Sequence, residues 1–495
     1  MRTAKSTYDL DEAITVNFRH GPGGSTDWIG LYRIGSTPGA ASPSIVWAYV
    51  GSGTTTAGAG AASGSVTFTN PGLGPGLYEA YFLANDGYEQ LAGPATFKVR
   101  GIAGPGEPEW VASTFRMRHA VTGSAYSGKI GAYASDPDPS DTLTYGWVAG
   151  PAWLSVSASG TVHGTPSTAD RGVQTFTVAA TDLGGRSTAA TMTIEVFAPE
   201  TERVETLKVL SYNLWHGLGT INGGHRKGIE GILLSDADLV GTQETVDNVS
   251  GSGVYQARRL ADQLGWYHSP SGAGDSGIIS RYPIVEEFSA GIANGVRVHL
   301  TFTGSQQVVL YNCHLDHQYY GPYRAHQAGA NAQNVLVEER RSQRDEQIAA
   351  ILSGMSANLA LADTVPVLFT GDFNAPSHLD WIPATAAWHG GVGDVAWPTS
   401  TECIAAGLVD SFRAIHTDPA ATPGDTWSPL FQGSEPQDRI DFIYFKGRRL
   451  VPEAAVAYRQ AVEVVLGPWG SSTAPALDNT WPSDHSAVLT TFQIN

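Results

Sequence analysis

From Val365 to Asn374 the chain reads Val-Pro-Val-Leu-Phe-Thr-Gly-Asp-Phe-Asn. A mostly apolar run leads into Thr370-Gly371 and then presents Asp372 and Asn374, which predicts a buried strand delivering two polar side chains at its end. Residues two apart on an extended chain point the same way. A carboxylate able to accept a proton or orient water therefore converges with an amide able to donate to a phosphate oxygen. The same pattern recurs at Leu207 to Asn213, Ala237 to Glu244, Val308 to His314 and Arg439 to Tyr444, and Ser483-Asp484-His485-Ser486 precedes Ala487-Val488-Leu489. Repetition on this scale predicts one site built at the rim of a sheet.

The chain has 495 residues, 42% of them apolar, enough for two to four domains with their own cores. Its formal charge of −18 argues against broad electrostatic attraction to nucleic acid or an anionic membrane. It suits small substrates or bound cations and leaves room for a locally positive pocket. Two cysteines, Cys313 and Cys403, cannot make a disulfide framework; Cys313, alternating with Asn312 and His314 on a core strand, reads as a buried free thiol, with a bridge to Cys403 as the alternative. No run approaches the roughly 20 apolar residues needed to span a bilayer. The opening Met1-Arg-Thr-Ala-Lys-Ser lacks a hydrophobic signal segment, as would a chain whose leader had been removed. The Gly, Ser, Thr and Ala texture of the first part fits extracellular modules, so secretion is the expectation.

Residues 1 to 100 alternate short aromatic strands with Gly- and Pro-rich turns and show no helical period, which predicts an antiparallel β-sandwich. The strings Asp27-Trp28-Ile29-Gly30-Leu31-Tyr32 and Gly76-Leu77-Tyr78-Glu79-Ala80-Tyr81 resemble the small β-sandwich modules attached to inositol phosphatases and purple acid phosphatases. Gly101 to Pro108 reads as a linker. Residues 109 to 197 predict a second sandwich. Its Asp136-Pro137-Asp138-Pro139-Ser140-Asp141, Pro151-Ala152-Trp153-Leu154 and Ala180-Thr181-Asp182-Leu183-Gly184-Gly185 signals resemble cadherin-like, immunoglobulin-type repeats of bacterial surface and secreted proteins. That resemblance implies a structural Ca²⁺ held by Asp136, Asp138 and Asp182, since Ca²⁺ takes clustered oxygen ligands; turn-forming aspartates are the other reading. Together the two modules suggest contact with a cell surface or polymer.

After a second linker at Phe197 to Arg203, strands alternate with helical stretches at Arg226 to Leu234, Tyr255 to Leu264 and a long candidate from Gln327 to Leu352. This predicts two sheets packed together with helices outside. Residues 205 to 495 resemble the endonuclease/exonuclease/phosphatase superfamily, and the resemblance implies a four-layer α/β-sandwich of DNase I-like fold behind the two all-β sandwiches. Asn213 in Ser-Tyr-Asn-Leu-Trp and Glu244 in Thr-Gln-Glu match the family's metal-binding pair, oxygen donors suited to a hard cation. His314 matches the histidine that contacts the scissile phosphate. Asp372 and Asn374 match Gly-Asp-Phe-Asn, whose aspartate orients or deprotonates water and whose asparagine binds a nonbridging oxygen. Asp484-His485 matches the terminal motif, with Asp484 near the metal and His485 on the phosphate, and Asp441 matches the carboxylate that orients His485. The base stays open between Asp372 and His485.

The resemblance thus implies an enzyme, a Mg²⁺-dependent phosphodiesterase or phosphatase, with Mn²⁺ or Ca²⁺ as alternatives, in which water attacks phosphorus in line without a covalent intermediate. Arg226, Lys227, His317, Arg324, His378 and Trp427 are the candidate substrate-binding residues. The chain lacks the long Lys/Arg stripe with interleaved aromatics expected of a nonspecific nuclease. A small phosphodiester or phosphomonoester, such as an inositol phosphate or lipid headgroup, is the expected substrate. A DNase-like secreted nuclease and a catalytically inactive surface-binding protein are the rival readings.

Overall fold

The computed structural model describes all residues except 6, 9–11, 34–35, 40–41, 70, 74–75, 100–105, 139–140, 250–251, 270–274, 434 and 468–477. Most of the expected linker at Gly101 to Pro108, and Pro139-Ser140 within the expected calcium motif, lie outside the described residues. No helix among the described residues is long and apolar enough to cross a membrane.

In residues 2–99 a three-stranded and a five-stranded sheet face each other across Val16, Phe18, Val66, Ile29, Leu31, Tyr78 and Phe97. One pairing, Thr7–Tyr8 with Gln90–Val99, is parallel, a departure from the all-antiparallel expectation. Residues 109–197 form sheets of five, three and two strands around Trp110, Phe115, Tyr145, Phe176 and Met192. Three aspartates do gather there, with ligand atoms within 4.8 Å of one another, but they are Asp136, Asp141 and Asp182. Asp138 is exposed and outside the group, its N–H donating to Asp136. The group thus keeps Asp136 and Asp182 of the expected set and has Asp141 in place of Asp138; both oxygens of Asp182 also accept from Arg186, through its main-chain N–H at 2.8 Å and its Nε at 2.7 Å.

From residue 206 the strands are β1 (Thr206–Asn213), β2 (Leu239–Gln243), β3 (Tyr267–Ser269), β4 (Ser276–Ser280), β5 (Ile284–Ala290), β6 (Ala293–His299), β7 (Gln307–His314), β8 (Val367–Asp372), β9 (Val409–Asp410), β10 (Asp441–Lys446), β11 (Leu450–Tyr458) and β12 (Ala487–Ile494). The helices are α1 (Gly224–Ser235), α2 (Gln256–Leu264), α3 (Gly321–Ala325), α4 (Ala332–Glu339), α5 (Arg344–Ala360), α6 (Pro398–Ala405) and α7 (Ser411–Ile415). One sheet has the order β3-β4-β2-β1-β12-β11 and the other β5-β6-β7-β8-β10-β9. Their facing surfaces share Leu207, Val209, Leu239, Val308, Leu310, Leu368 and Ile443. On the outer faces α1 and α2 pack against Leu210, Tyr212 and Val240, and α5 packs against Val309, Tyr311, Val367 and Phe369. The result is a four-layer α/β-sandwich.

Period-two alternation explains this division. Along β7, Val308 and Leu310 enter the space between the sheets, while Val309, Tyr311 and Cys313 face α5. Asn312 and His314 continue the inward row. Asn312 Nδ2 donates to the carbonyls of Thr242 and Gly277 at 2.8 and 3.0 Å, and its Oδ1 accepts from Gln243 at 2.6 Å and Thr370 at 3.0 Å. The inter-sheet layer therefore grades from apolar, through a buried amide network, to the rim. Cys313 and Cys403 are both free and buried.

The long helix expected from Gln327 to Leu352 is instead α4 and α5, separated at residues 340–343. The buried Arg344 guanidinium pairs with Glu339 through Nε–Oε1 at 2.6 Å and Nη2–Oε2 at 2.7 Å, and donates to the carbonyls of Asp316, Gln318 and Tyr319. A straight helix would carry these two residues apart. The break fixes the loop after β7 instead.

The apolar core beneath α1 and α2 runs without interruption into the immunoglobulin-type sandwich. Polar contacts reinforce that junction. Arg116 meets Asp236 at 3.0 Å and Asp238 at 2.8 Å, and Arg281 meets Asp236 at 3.1 Å while donating to the carbonyl of Arg116 at 2.7 Å. Burial opposes charge on Asp236, but Arg281, Arg116 and Lys208 around it hold its carboxyl well below the usual carboxylate range.

Candidate active site

The polar strand ends meet because of strand direction. β7 and β8 are parallel, β8 and β10 antiparallel, and the register places His314 beside Asp372 and Asp372 beside Asp441 on one cross-strand row. Asp441 therefore begins its strand, where the sequence pattern placed it within an apolar run. In the other sheet β1 and β2 are parallel and align Asn213 with Gln243, while β12 runs antiparallel to β1 and starts just after Asp484-His485. Both sheets thus present their polar ends at the same rim.

A pocket of about 460 Å³ opens there, and Glu244, His314, His317, Asp372, Asn374, Trp427, Asp484 and His485 line it. The buried amide of Asn213 donates to Glu244 Oε1 at 3.1 Å and to Asp372 Oδ2 at 3.0 Å, while its own oxygen accepts from the N–H of Trp215 at 2.9 Å. The N–H of His216 donates to Glu244 Oε2 at 2.7 Å. Asp372 Oδ1 accepts from the N–H of Asn374 at 2.8 Å, and Asn374 Nδ2 donates to the carbonyl of Leu315 at 3.0 Å. His314 Nε2 and His485 Nε2 lie 3.6 and 3.7 Å from Asp372 Oδ2.

His485 Nδ1 lies 2.8 Å from Asp441 Oδ2. Thr426 Oγ1 accepts from the N–H groups of Ile440 and Asp441 at 3.0 and 3.1 Å, fixing that carboxylate's backbone. Burial alone would discharge His485; Asp441 and Asp372 beside it push the imidazole well above its ordinary value. His314 has a similar partner, Asp275, whose Oδ2 lies 2.5 Å from Nδ1. Burial works against its charge, yet Asp275 and Asp372 raise it to about 9.

Asp484 is 2% exposed, and its Oδ1 is buried with no hydrogen-bond partner among the described residues. Burial pushes this carboxyl well above its usual range, and repulsion from Glu244 and Asp372 adds to the effect against the pull of His485. An orphaned carboxylate oxygen among other carboxylates is a costly arrangement that a divalent cation would relieve. Glu244 and Asp484 are hard donors of the kind Mg²⁺ takes, and Asn213 adds an amide oxygen once its carboxamide, whose nitrogen here faces Glu244, turns over, so the residues fit such an ion.

Four expected substrate contacts are placed elsewhere. Arg226 donates to the carbonyls of Ala132 and Ala134 and pairs with Glu230, and Lys227 Nζ donates to those of Asp478 and Asn479. Both side chains are occupied in holding neighbouring segments. Arg324 does not line the pocket, and one of its guanidinium nitrogens is buried with no hydrogen-bond partner among the described residues. His378 Nδ1 lies 2.7 Å from Ser400 Oγ, and burial holds the ring below its ordinary value. His317 and Trp427 do line the pocket, and the Trp427 ring centroid is 4.9 Å from that of His485.

The structure adds Trp215, Asn248, Asp275, Tyr320, Tyr323 and Ile440 to the lining. Asp275 is placed by strand register, which the sequence does not show: β4 pairs antiparallel with β2 and sets Ser276 opposite Gln243, so the residue before it falls beside Glu244. Tyr320 and Tyr323 carry no sequence signal either. Their hydroxyls donate to Asp438 at 2.9 Å and Glu435 at 2.6 Å.

Comparison with known proteins finds two family matches: Endonuclease/Exonuclease/phosphatase family at residues 210–485 and Putative Ig domain at residues 116–197. The chain is 28% identical over 304 residues to uncharacterized protein F14F9.5 of Caenorhabditis elegans, covering 58% of this chain and 91% of that protein. Among solved structures, truncated Caenorhabditis elegans TDP2 is 18% identical, covering 58% of this chain and 97% of its own, with a TM-score of 0.38. The 3′-5′ exonuclease NExo of Neisseria meningitidis is 16% identical, covering 58% and 100%, with a TM-score of 0.37.

Proposed function

The chain belongs to the Endonuclease/Exonuclease/phosphatase family, and from that premise we propose that it hydrolyses a small phosphodiester or phosphomonoester with the help of Mg²⁺. The observation that carries this reading is the cross-strand row of His314, Asp372 and Asp441, which sets a carboxylate between two imidazoles on the floor of the pocket.

Glu244, Asp484 and Asn213 would hold the cation. When bound, it polarises the phosphate and offsets charge on the leaving oxygen. Asp372 takes the proton of the attacking water. It suits that role better than His485, because Asp441 favours the charged imidazolium, which donates rather than accepts. His314 and His485 then face the negative charge that develops on the phosphoryl oxygens, and the Asn374 amide adds a neutral donor. As water attacks phosphorus in line, the P–O bond to the leaving group breaks and the departing oxygen takes a proton from solvent, releasing an alcohol and the phosphate or its monoester.

Among the described residues no Lys or Arg lines the pocket. A polyphosphorylated inositol or a nucleic-acid backbone would find little to pair its additional charges there. This favours a substrate carrying a single phosphate over the nuclease reading.

The test is hydrolysis by purified protein of phosphomonoesters, small phosphodiesters, inositol phosphates and DNA, each with Mg²⁺ and with EDTA. Metal-dependent turnover of a small ester, lost in Asp372→Ala, is the expected result. Preferential cleavage of DNA would overturn the substrate class, and no hydrolysis of any ester would overturn the enzymatic reading.

A further inference from the structure

The N-terminal sandwich meets the four-layer domain at Arg459, the residue that follows β11, and a pocket of about 400 Å³ lies between them. Arg2, Lys5 and Arg459 line it, and among the described residues Glu463 is the carboxylate that shares the lining. That carboxylate is engaged: Oε2 accepts from the N–H of Thr480 at 2.8 Å, and Oε1 accepts from the Thr480 hydroxyl. Lys5 pairs with Glu12. Arg459 is different. Burial holds its guanidinium below the ordinary value, and the attraction of Glu79 does not restore it. Folding withdraws water from this cation and, among the described residues, sets no carboxylate within 4 Å of it.

A second hollow, of about 570 Å³, shares Arg2 and Asn17 with the first and adds Arg19 and Ser63. No Asp or Glu lines it among the described residues. Strand pairing lays out the floor. In the three-stranded sheet Arg2 lies opposite Asn17, and Asn17 lies opposite Ser65 on its other side. Val16, Phe18 and Val66 enter the core, so alternation turns Thr15, Asn17, Ser65 and Thr67 outward. The Thr15 and Thr67 hydroxyls are 2.9 Å apart. Exposed guanidinium groups at Arg2 and Arg19 flank this strip of hydroxyls and one amide. On a chain of formal charge −18 it is a local reversal of sign.

Guanidinium groups grip oxyanions through paired N–H donors. Hydroxyls and a carboxamide both donate and accept, as sugar hydroxyls do. Single-stranded nucleic acid would call for open rings on which to stack its bases. The aromatic side chain lining these hollows, Phe18, is 2% exposed. We infer that the furrow from Arg19 past Arg2 to Arg459 binds a strand of an anionic polysaccharide, its charged groups on the three arginines and its hydroxyls along Thr15, Asn17, Ser65 and Thr67. The shared chemistry is an oxyanion carried on a sugar, either a sulfate ester or a uronate. The furrow lies on the N-terminal sandwich and its junction, and none of its residues belongs to the phosphoester pocket.

The test passes the full chain over immobilised dextran sulfate, polygalacturonate and unmodified dextran, at low and at high salt. An anionic polymer should retain the protein at low salt and release it at high salt, because exposed ion pairs are screened; unmodified dextran should not retain it. Tighter retention by dextran sulfate or by polygalacturonate, compared at equal charge, assigns the group as sulfate ester or uronate. Arg2→Gln and Arg19→Gln should each weaken binding by about two- to five-fold. Arg459→Gln should weaken it by about ten-fold, and Arg459→Lys, which keeps the charge, should lose less. Arg2 and Arg19 are exposed, so their variants keep the test open if Arg459→Gln does not fold. Equal retention by unmodified dextran, retention by neither anionic polymer, or binding unchanged when Arg2→Gln and Arg19→Gln are combined would overturn the inference. So would tighter binding of single-stranded DNA than of either polymer, or complete release by inorganic sulfate at equal charge, which would make the ligand a nucleic acid or a free anion.

Discussion

Asp275→Asn isolates one electrostatic interaction while preserving the side chain's shape. In the metal-free protein His314 is held at about 9, against an ordinary 6.5. At about 1.4 kcal/mol per pKa unit, this is a preference of roughly 3 kcal/mol for the imidazolium, opposed by burial and shared among Asp275, Asp372 and Glu244. A hydrogen bond to a charged partner contributes about 1.5–3 kcal/mol when shielded. Asp275 is 61% exposed, so solvent screening reduces its share to about 1 kcal/mol. The substitution should therefore lower the His314 pKa by about 0.7, read from the pH titration of its imidazole C–H resonances in EDTA. Stability follows with a defined sign. Because the folded-state value of His314 is raised, its contribution is complete below about 6.5 and disappears as pH rises through about 9. The carboxyl of Asp275, where burial is outweighed by His314, lies below its ordinary value; its contribution is present above about pH 4 and is lost as pH falls through the lowered value. The Asn variant's deficit in urea midpoint should consequently be greatest between about pH 4 and 6.5 and vanish above about 9. A His314 titration that does not move, or that moves upward, would refute this account of the pair.

Other consequences concern different parts of the molecule. Asp372→Asn keeps the volume of the side chain but removes the proposed base, and should reduce kcat/KM by about a thousand-fold without changing the circular dichroism spectrum. Arg281→Ala removes one of the cations that hold Asp236 and the fully buried Asp238, leaving Arg116 on both and Lys208 on Asp236, and should cost about 2 kcal/mol in urea denaturation near neutral pH. Since the Asp236 carboxyl is depressed, that loss should shrink as pH falls below about 4. A Cβ at Gly241 would lie 2.1 Å from Thr370 Oγ1 and 2.5 Å from Asn312 Oδ1, so Gly241→Ala should destabilise by about 1–3 kcal/mol, measured by thermal unfolding. Neither thiol should react with a chromogenic disulfide reagent until the protein is unfolded, since both are fully buried.

The strand ends were readable in the sequence because alternation is local: Val308, Leu310, Asn312 and His314 share a face whatever lies beyond them. The division of inward and outward rows in β7 and β8 follows directly. Asp441 was legible as a site residue but not as the start of its strand, because direction relative to β8 is a tertiary property. The candidate cations failed for a related reason. Whether Arg226 faces a substrate or the carbonyls of Ala132 and Ala134, nearly a hundred positions earlier, depends on how the immunoglobulin-type sandwich docks. The break between α4 and α5 was equally hidden, since helical periodicity does not reveal that Arg344 must reach the loop at Asp316 to Tyr319. Tyr320 and Tyr323 lay outside every apolar run, and only their hydrogen bonds distinguish them from surface aromatics.

The cross-strand row also sets a schedule. The residues of the site leave the ribosome far apart in time, with Asn213 early, His314 and Asp372 midway, and His485 only after more than a hundred further residues. β12 must then pair with β1, the first strand of the region, before His485 reaches Asp441. A growing chain can bury most of its two sheets before Asp484 and His485 join the pocket, so the proposed chemistry waits on the pairing of β12 with β1.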